Sequence, residues 1–453
     1  MVGQSDPAKL RQSTLSNDRT LSQKLTESKV NIDADSLLHD IVILPAYSVN
    51  FEGIGPQLVR NELKAIEATE LPTPPGGGTT TPPVTPPGGG GSTTPPAPTT
   101  PADYAKLNEV YKSIGSSDNI KHFSVPNTVE GAYSLYSYLR DIYANSPYAI
   151  TNEIAFKNLS MFRDNASPDL KPNLNKWAVM GGLSYNTREN KYELSTTEVD
   201  TRTTGAYAKG EYGLSENGTL GLMLGGTNTK ANMTTGEIKG SSMYLGVYGK
   251  KYINNFKFTL GTGVEFADNK VEREAIGYSG IIANKKYSAK QKSRAFDLYA
   301  EARYSVNLGN NLYIEPNFNL AYSRVKQKGL SENDEILSMD IKSKTFNQTS
   351  AELGVDLRKE IVSSNTKHSL ALGTSYERVL SGAKETAIRG NIKGGSEFDI
   401  TVPAKEKGRL SVGAEYKLEN VTGIMFNVKV DYGFKHNSDK KDIRVSTGIG
   451  YRF

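Results

Sequence analysis

The chain has 453 residues, of which 37% are hydrophobic, with a formal net charge of +5 and a mean hydropathy of −0.49. No run approaches the ~18 consecutive apolar residues that a spanning helix requires, residues 41–46 and 178–183 being the best, so a helical membrane protein is excluded. The absence of cysteine excludes a disulfide framework and a thiolate metal site, and the small charge carries no nucleic-acid signal.

A transmembrane β-barrel survives these exclusions, because its strands alternate lipid-facing and lumen-facing residues and average to modest hydropathy. The 43 glycines, and 25 tyrosines against a single tryptophan (Trp177), lean the same way. Tyrosine suits a membrane–water interface, where ring and hydroxyl both find partners. Met1-Val-Gly-Gln-Ser-Asp offers no basic stretch followed by an apolar one, and the expectation is a fragment of a longer exported protein.

Residues 1–70 are mixed and polar, with a possible strand at 41–44 and a possible helix at 60–70. Residues 71–101 hold eleven of the twenty prolines, seven glycines and no charge, so 71–102 reads as a solvated linker, part coil and part polyproline II. Residues 103–173 read as helical. Tyr133, Leu135, Tyr136, Leu139 and Tyr143 recur at helical spacing, as do Ile150, Ile154, Ala155, Leu159 and Phe162; Pro168 and Pro172 end the segment.

From Trp177 the period changes to two. Phe256, Phe258, Leu260, Val264 and Phe266 alternate with Lys257, Thr259, Gly261, Gly263 and Glu265. Phe296, Leu298, Ala300, Ala302 and Tyr304 alternate with Asp297, Tyr299, Glu301, Arg303 and Ser305. Twelve such runs begin near residues 176, 203, 218, 241, 255, 292, 311, 346, 367, 407, 422 and 441, each about 10–13 residues long. Their connections alternate long (186–201, 230–239, 268–290, 326–344, 380–405, 436–440) and short (214–217, 252–254, 307–310, 361–365, 419–420). Long extracellular loops, short periplasmic turns and an even strand number are the habit of outer-membrane barrels. A soluble sandwich has no reason to sort its loops this way. The fold expected over 174–453 is an all-β, twelve-stranded antiparallel transmembrane β-barrel.

The order of linker, helices, twelve strands and a terminal aromatic residue resembles the translocator domain of a monomeric type V autotransporter. The likeness spans residues 104–453. It is nearest the barrels of large surface adhesins of anaerobic Gram-negative bacteria, through Tyr143-Ala-Asn-Ser-Pro-Tyr-Ala, Asn158-Leu-Ser-Met-Phe-Arg-Asp-Asn and Lys176-Trp-Ala-Val-Met-Gly-Gly. The resemblance implies an outer-membrane anchor that lets an N-terminal passenger reach the cell surface, residues 1–70 being a passenger remnant. It implies an assembly signal in the last strand, where Ser446, Gly448, Tyr451 and Phe453 match polar, glycine, aromatic, aromatic. The barrel-assembly machinery would read that strand; the plainer reading makes Tyr451 and Phe453 girdle aromatics only.

The resemblance also implies a pore helix, placed at 150–165 with Ile150, Ile154, Lys157, Leu159, Phe162 and Arg163. Lys157 and Arg163 are expected to meet lumen carboxylates among Glu211, Glu265, Glu301, Glu315 and Glu415. Asn-Asn steps occur only at 254–255 and 310–311, in expected turns, so the self-cleavage known for some members at an Asn-Asn step in this helix is not expected. Expected partners are outer-membrane lipid, the assembly machinery and the chain's own passenger, with no nucleic acid, metal or cofactor and a monomeric barrel.

A diffusion porin and an outer-membrane barrel enzyme are the rival readings. Barrel enzymes lean on histidine. His39, His122, His368 and His436 are the only four, and His368 and His436 share strand parity with the outward residues Leu370, Leu372, Tyr432 and Phe434. No enzymatic role is expected. The polar linker and helical segment argue against a plain porin.

Overall fold

The computed structural model describes residues 101–120, 129–191 and 198–453 apart from a few loop positions, together with a short pairing of Val49–Asn50 with Ser124–Val125. The strand expected at 41–44, the helix at 60–70, nearly all of the linker and His39, His122 and His436 lie outside the described residues.

Alternation becomes twelve antiparallel strands. The first six are β1 (Trp177–Lys191), β2 (Glu198–Ser215), β3 (Gly218–Met233), β4 (Gly236–Ile253), β5 (Phe256–Ala275) and β6 (Lys285–Tyr304). The second six are β7 (Leu312–Gln327), β8 (Lys344–Val362), β9 (Thr366–Ser381), β10 (Gly408–Asn420), β11 (Ile424–Lys435) and β12 (Ser438–Arg452). Each pairs with its neighbours in sequence, and β12 pairs with β1, so the sheet closes and no edge is left. At the closing seam Ser446 lies opposite Ser184, Gly448 opposite Gly182 and Tyr451 opposite Val179.

Outward positions such as Leu222, Leu245, Leu260, Leu298, Leu353 and Leu372 form an exposed apolar band far larger than an aqueous surface would carry. Aromatic pairs mark its rims: Trp177 with Tyr212, Phe256 with Tyr304 and Tyr451 with Phe453 at the short-turn end, and Tyr432 with Phe434 at the other. The short turns use asparagine where the backbone must turn left-handed, at Asn254, Asn310 and Asn311, with φ of 51°, 51° and 58°. Both Asn-Asn steps therefore lie in short turns.

Strands run longer than the alternation implies. β5 and β6 have 20 residues each, and the expected loop at 230–239 is a two-residue turn between Met233 and Gly236. Beyond the bilayer the outer face meets water, so alternation fades, while the backbone ladder continues with Lys230 opposite Lys239, and the Lys230 side chain pairs with Glu237 at 2.6 Å. The connections expected as loops at 326–344 and 380–405 also differ. They contain the strands Leu330–Ser331, Met339–Ile341, Thr386–Ile392 and Glu397–Val402, which form a separate four-stranded sheet.

Helices α1 (Pro101–Gly115) and α2 (Val129–Tyr143) pack on that sheet. Leu107, Val110, Leu139 and Ile142 are buried there with Ile388 and Ile400. A 3₁₀ turn, Pro147–Ala149, leads into α3 (Thr151–Ala166), which lies inside the barrel. Thus the helices before residue 150 cap the long-loop mouth.

Candidate functional site: the occupied lumen

α3 enters at the long-loop end and leaves at the short-turn end, where the chain turns into β1. Its first turn is held by the long-loop ends of the strands: the Thr151 hydroxyl donates to Gln291 at 2.5 Å and accepts from the Gln327 amide. Halfway down, the Asn158 amide donates to Glu265 at 2.8 Å. Phe162 stacks on Tyr244 with ring centroids 4.4 Å apart. Arg163 donates to Asp297 at 2.8 Å, and Ser323 donates to the same oxygen at 2.7 Å.

The exit of the helix is gripped by three lysines. The Lys209 ammonium donates to the carbonyls of Asn165 (2.9 Å) and Pro168 (2.6 Å). Lys250 donates to those of Ser167 (3.2 Å) and Pro168 (3.0 Å), and Lys257 to that of Ser167 (3.3 Å). A helix leaves its last carbonyls unpaired with the negative end of its dipole beside them, and cations answer both needs. Glu211 balances the cluster, accepting from Lys250 at 2.8 Å and from the Leu170 amide at 3.3 Å. Arg452, next to last in the chain, holds the Leu170 carbonyl at 2.7 Å.

The five carboxylates named from sequence are divided between two walls. Glu211, Glu265 and Glu301 touch the pore segment, Glu301 accepting from Ser167 at 2.9 Å. Glu315 pairs with Arg358 at 2.6 Å and Glu415 with Lys417 at 3.1 Å, on the barrel wall rather than with the helix. There, between α3 and strands β7–β11, lies a charge-lined cavity of about 530 Å³.

Two expectations about the helix need correction. Among the described residues Lys157 reaches no lumen carboxylate; it sits 3.6 Å from Glu153, one turn back. The carboxylate opposite Arg163 is Asp297, which was not among the five named. The reason is the tilt of the helix towards β2–β7, which seats Leu159 and Phe162 there and turns Glu153, Lys157, Ser160 and Asp164 away. Asp164 instead meets Arg444 of β12 at 2.9 Å. Ile150 is the residue before the helix and is buried with Ile154.

Sequence reasoning did not single out Lys209, Lys250 or Asp297. Strand parity carried the signal for Asp297, which lies between the lipid-facing Phe296 and Leu298 and must face the lumen; Lys250, beside Lys251, offered no such contrast.

Tyr451 and Phe453 lie on the lipid face, with rings 5.1 Å apart. The Phe453 amide donates to the Trp177 carbonyl at 3.0 Å, so the last residue of the chain secures the start of β1. Gly448 lies inward under the Tyr207 hydroxyl, and Ser446 pairs across the seam. His368 sits near the short-turn end, Nδ1 2.8 Å from the Tyr416 hydroxyl and Nε2 3.1 Å from that of Thr366.

Residues 177–429, more than half of the chain, match the family model described as the autotransporter β-domain. The chain belongs to that family. Its structure is similar to the translocator domain of the autotransporter NalP from Neisseria meningitidis, with 18% identity and a TM-score of 0.54 over 69% of this chain and 99% of that one. It also resembles the transport unit of the autotransporter AIDA-I from Escherichia coli, with 14% identity and a TM-score of 0.43 over 66% and 97%. At that identity the NalP likeness speaks for the fold. No curated protein matches the chain. As an autotransporter β-domain, the barrel is an outer-membrane translocator that anchors an N-terminal passenger and allows its export to the cell surface.

Proposed function

We propose that α3 is the trailing end of the exported chain, which comes to rest in the lumen and anchors the passenger to the barrel without being cut. The observation that carries this reading is the direction of α3, whose N-terminal neighbours lie at the long-loop mouth and whose C-terminal end is held by Lys209, Lys250 and Lys257. A twelve-stranded lumen admits a helix or an extended hairpin, so the passenger crosses unfolded and folds outside. Adhesion is the passenger use we assign, on the likeness of segments within residues 143–182 to adhesin barrels.

The last strand is read by the barrel-assembly machinery through Ser446, Gly448, Tyr451 and Phe453. Main-chain pairing along an unclosed β12, with two aromatic rings on its lipid face, supports that reading. We assign no chemistry to the barrel, since His368 sits at the short-turn rim with its ring nitrogens beside the Tyr416 and Thr366 hydroxyls.

The test is to express residues 101–453 behind a signal peptide and an N-terminal epitope tag, then treat intact cells with protease. A heat-modifiable barrel whose tag is shaved from outside is the expected result. A heat-modifiable barrel whose tag stays protected would make the protein a porin-like channel with a periplasmic N-terminus. Replacing Tyr451 and Phe453 by serine should lower the yield of assembled barrel.

A further inference from the structure

The sheet over the barrel mouth has one apolar face, on which Met339, Ile341, Ile388, Ile392, Phe398 and Ile400 are all at most 3% exposed. Alternate positions carry the charges Asp340, Arg389, Glu397 and Asp399, with Arg389 67% exposed and 3.2 Å from Glu397. Covering the apolar face are α1 and α2, through Leu107, Val110, Ile114, Leu135 and Leu139.

Polar contacts set the register of the two layers. Lys106 pairs with Glu385 at 2.8 Å, the Ser113 hydroxyl accepts from the Ile392 amide at 2.9 Å, and the Ser116 hydroxyl accepts from that of Ser396 at 2.8 Å. Below them a buried knot joins the cap to the wall. Arg273 of β5 grips Glu332 with two bonds of 2.7 Å, Tyr148 donates to the same carboxylate at 2.7 Å, and Tyr287 lies under the guanidinium.

The two layers differ in origin. The sheet is built from connections of the barrel itself, while both helices precede α3 and belong to the exported side. Neither layer buries its apolar face alone. Helices of fifteen residues are marginal in water, and a sheet of short strands with one bare apolar face is no better.

We infer that this loop sheet is a receiving surface on which the exported α1–α2 segment folds as it emerges, and that their docking holds the passenger outside. The segment closes the mouth through which it came, and sliding back would require exposing both apolar faces again. The inference rests on the export reading above.

Because the chain has no cysteine, an engineered pair reports docking without background. The tagged chain carrying Ser116→Cys and Ser396→Cys is pulse-labelled in cells and followed by heat modifiability, surface shaving of the tag and disulfide yield. The disulfide is expected to form as the tag becomes accessible. Adding Ile400→Asp should abolish the disulfide and slow tag exposure by ~5-fold or more, with the level of folded barrel unchanged. Arg389→Gln, on the outward face, should change neither. Where Ile400→Asp prevents barrel assembly, Phe398→Ala gives the same reading with a milder lesion. Loss of the disulfide with tag exposure at the parental rate overturns the inference alone. A parental tag that never reaches the surface overturns the export reading and this inference with it.

Discussion

Phe162 of the pore helix stacks on Tyr244 of β4, rings 4.4 Å apart and within 10° of parallel. The fit is close enough that a Cβ at Gly225 would come within 2.2 Å of the Phe162 ring. The helix is therefore seated by one aromatic plate on a wall whose glycine makes room for it.

Phe162→Ala should loosen α3 by about 3 kcal/mol, the usual cost of emptying a buried phenylalanine site. The assembled barrel should then show larger and more frequent openings in planar bilayers. Gly225→Val should open it the same way from the opposite side of the contact. Unchanged conductance in both would mean that Phe162 does not hold the helix.

Arg163 and Asp297 meet at 2.8 Å with side chains 15% and 0% exposed. Arg163→Met strands the buried carboxylate and should cost about 3 kcal/mol or more, whereas the double change Arg163→Met/Asp297→Leu should recover most of the loss. The midpoint of the heat-modifiable transition measures both. A double variant as unstable as the single one would show that the pair contributes beyond mutual neutralisation.

Two of the lysines at the end of α3 should rank by enclosure. Lys250 is fully buried against an equally buried Glu211, while Lys257 is 10% exposed and meets its carboxylates only at 3.5 Å. Lys250→Met should therefore lower the heat-modifiable midpoint more than Lys257→Met. Adding Glu211→Gln should partly restore it, because the stranded charge is removed. The reverse ranking would contradict this account.

Two seam glycines face each other with different tolerances. A Cβ at Gly182 would lie 2.2 Å from the Thr447 carbonyl oxygen, which the ladder fixes in place. A Cβ at Gly448 would first meet side chains, at Asn427, Tyr207 and Met180. Gly182→Ala should sharply reduce barrel assembly, and Gly448→Ala should reduce it little. If Gly448→Ala fails in assembly while its folded barrel has parental stability, recognition rather than packing explains this glycine.

On the cap, the partly buried Asp141 carboxyl accepts from the Tyr278 hydroxyl and the Asn145 amide. Burial, the largest effect, raises its pKa above the ordinary carboxyl value, against those two hydrogen bonds, which lower it. A raised folded-state value means stability that is complete below the unfolded pKa of about 4 and is lost as pH rises through the folded one. The α2 segment should therefore resist external protease better in mild acid than at neutral pH. Asp141→Asn should flatten that dependence and keep the neutral-pH cap at least as resistant.

The period of two, the strand count and the parity of charged residues could be read from the chain, because a bilayer imposes them locally. Leu260 must face lipid and Glu265 must not, whichever strands lie beside them. The alternation of loop lengths likewise assigned the two ends. Strand ends were less legible: past the bilayer the backbone at Lys230 and Lys239 keeps its ladder after the solvent on both sides has erased the pattern.

Only the tertiary structure decided which wall the pore helix leans on. Lean direction depends on the summed shape of six strands, with Gly225 yielding to Phe162 and Asp297 answering Arg163, contacts 63 and 134 residues apart in sequence. The same holds for the cap. Ile388 and Ile400 read as loop residues, because their partner faces on α1 and α2 lie more than 240 residues upstream. Local patterning records the solvent a residue meets. It does not record which distant surface supplies that solvent's replacement.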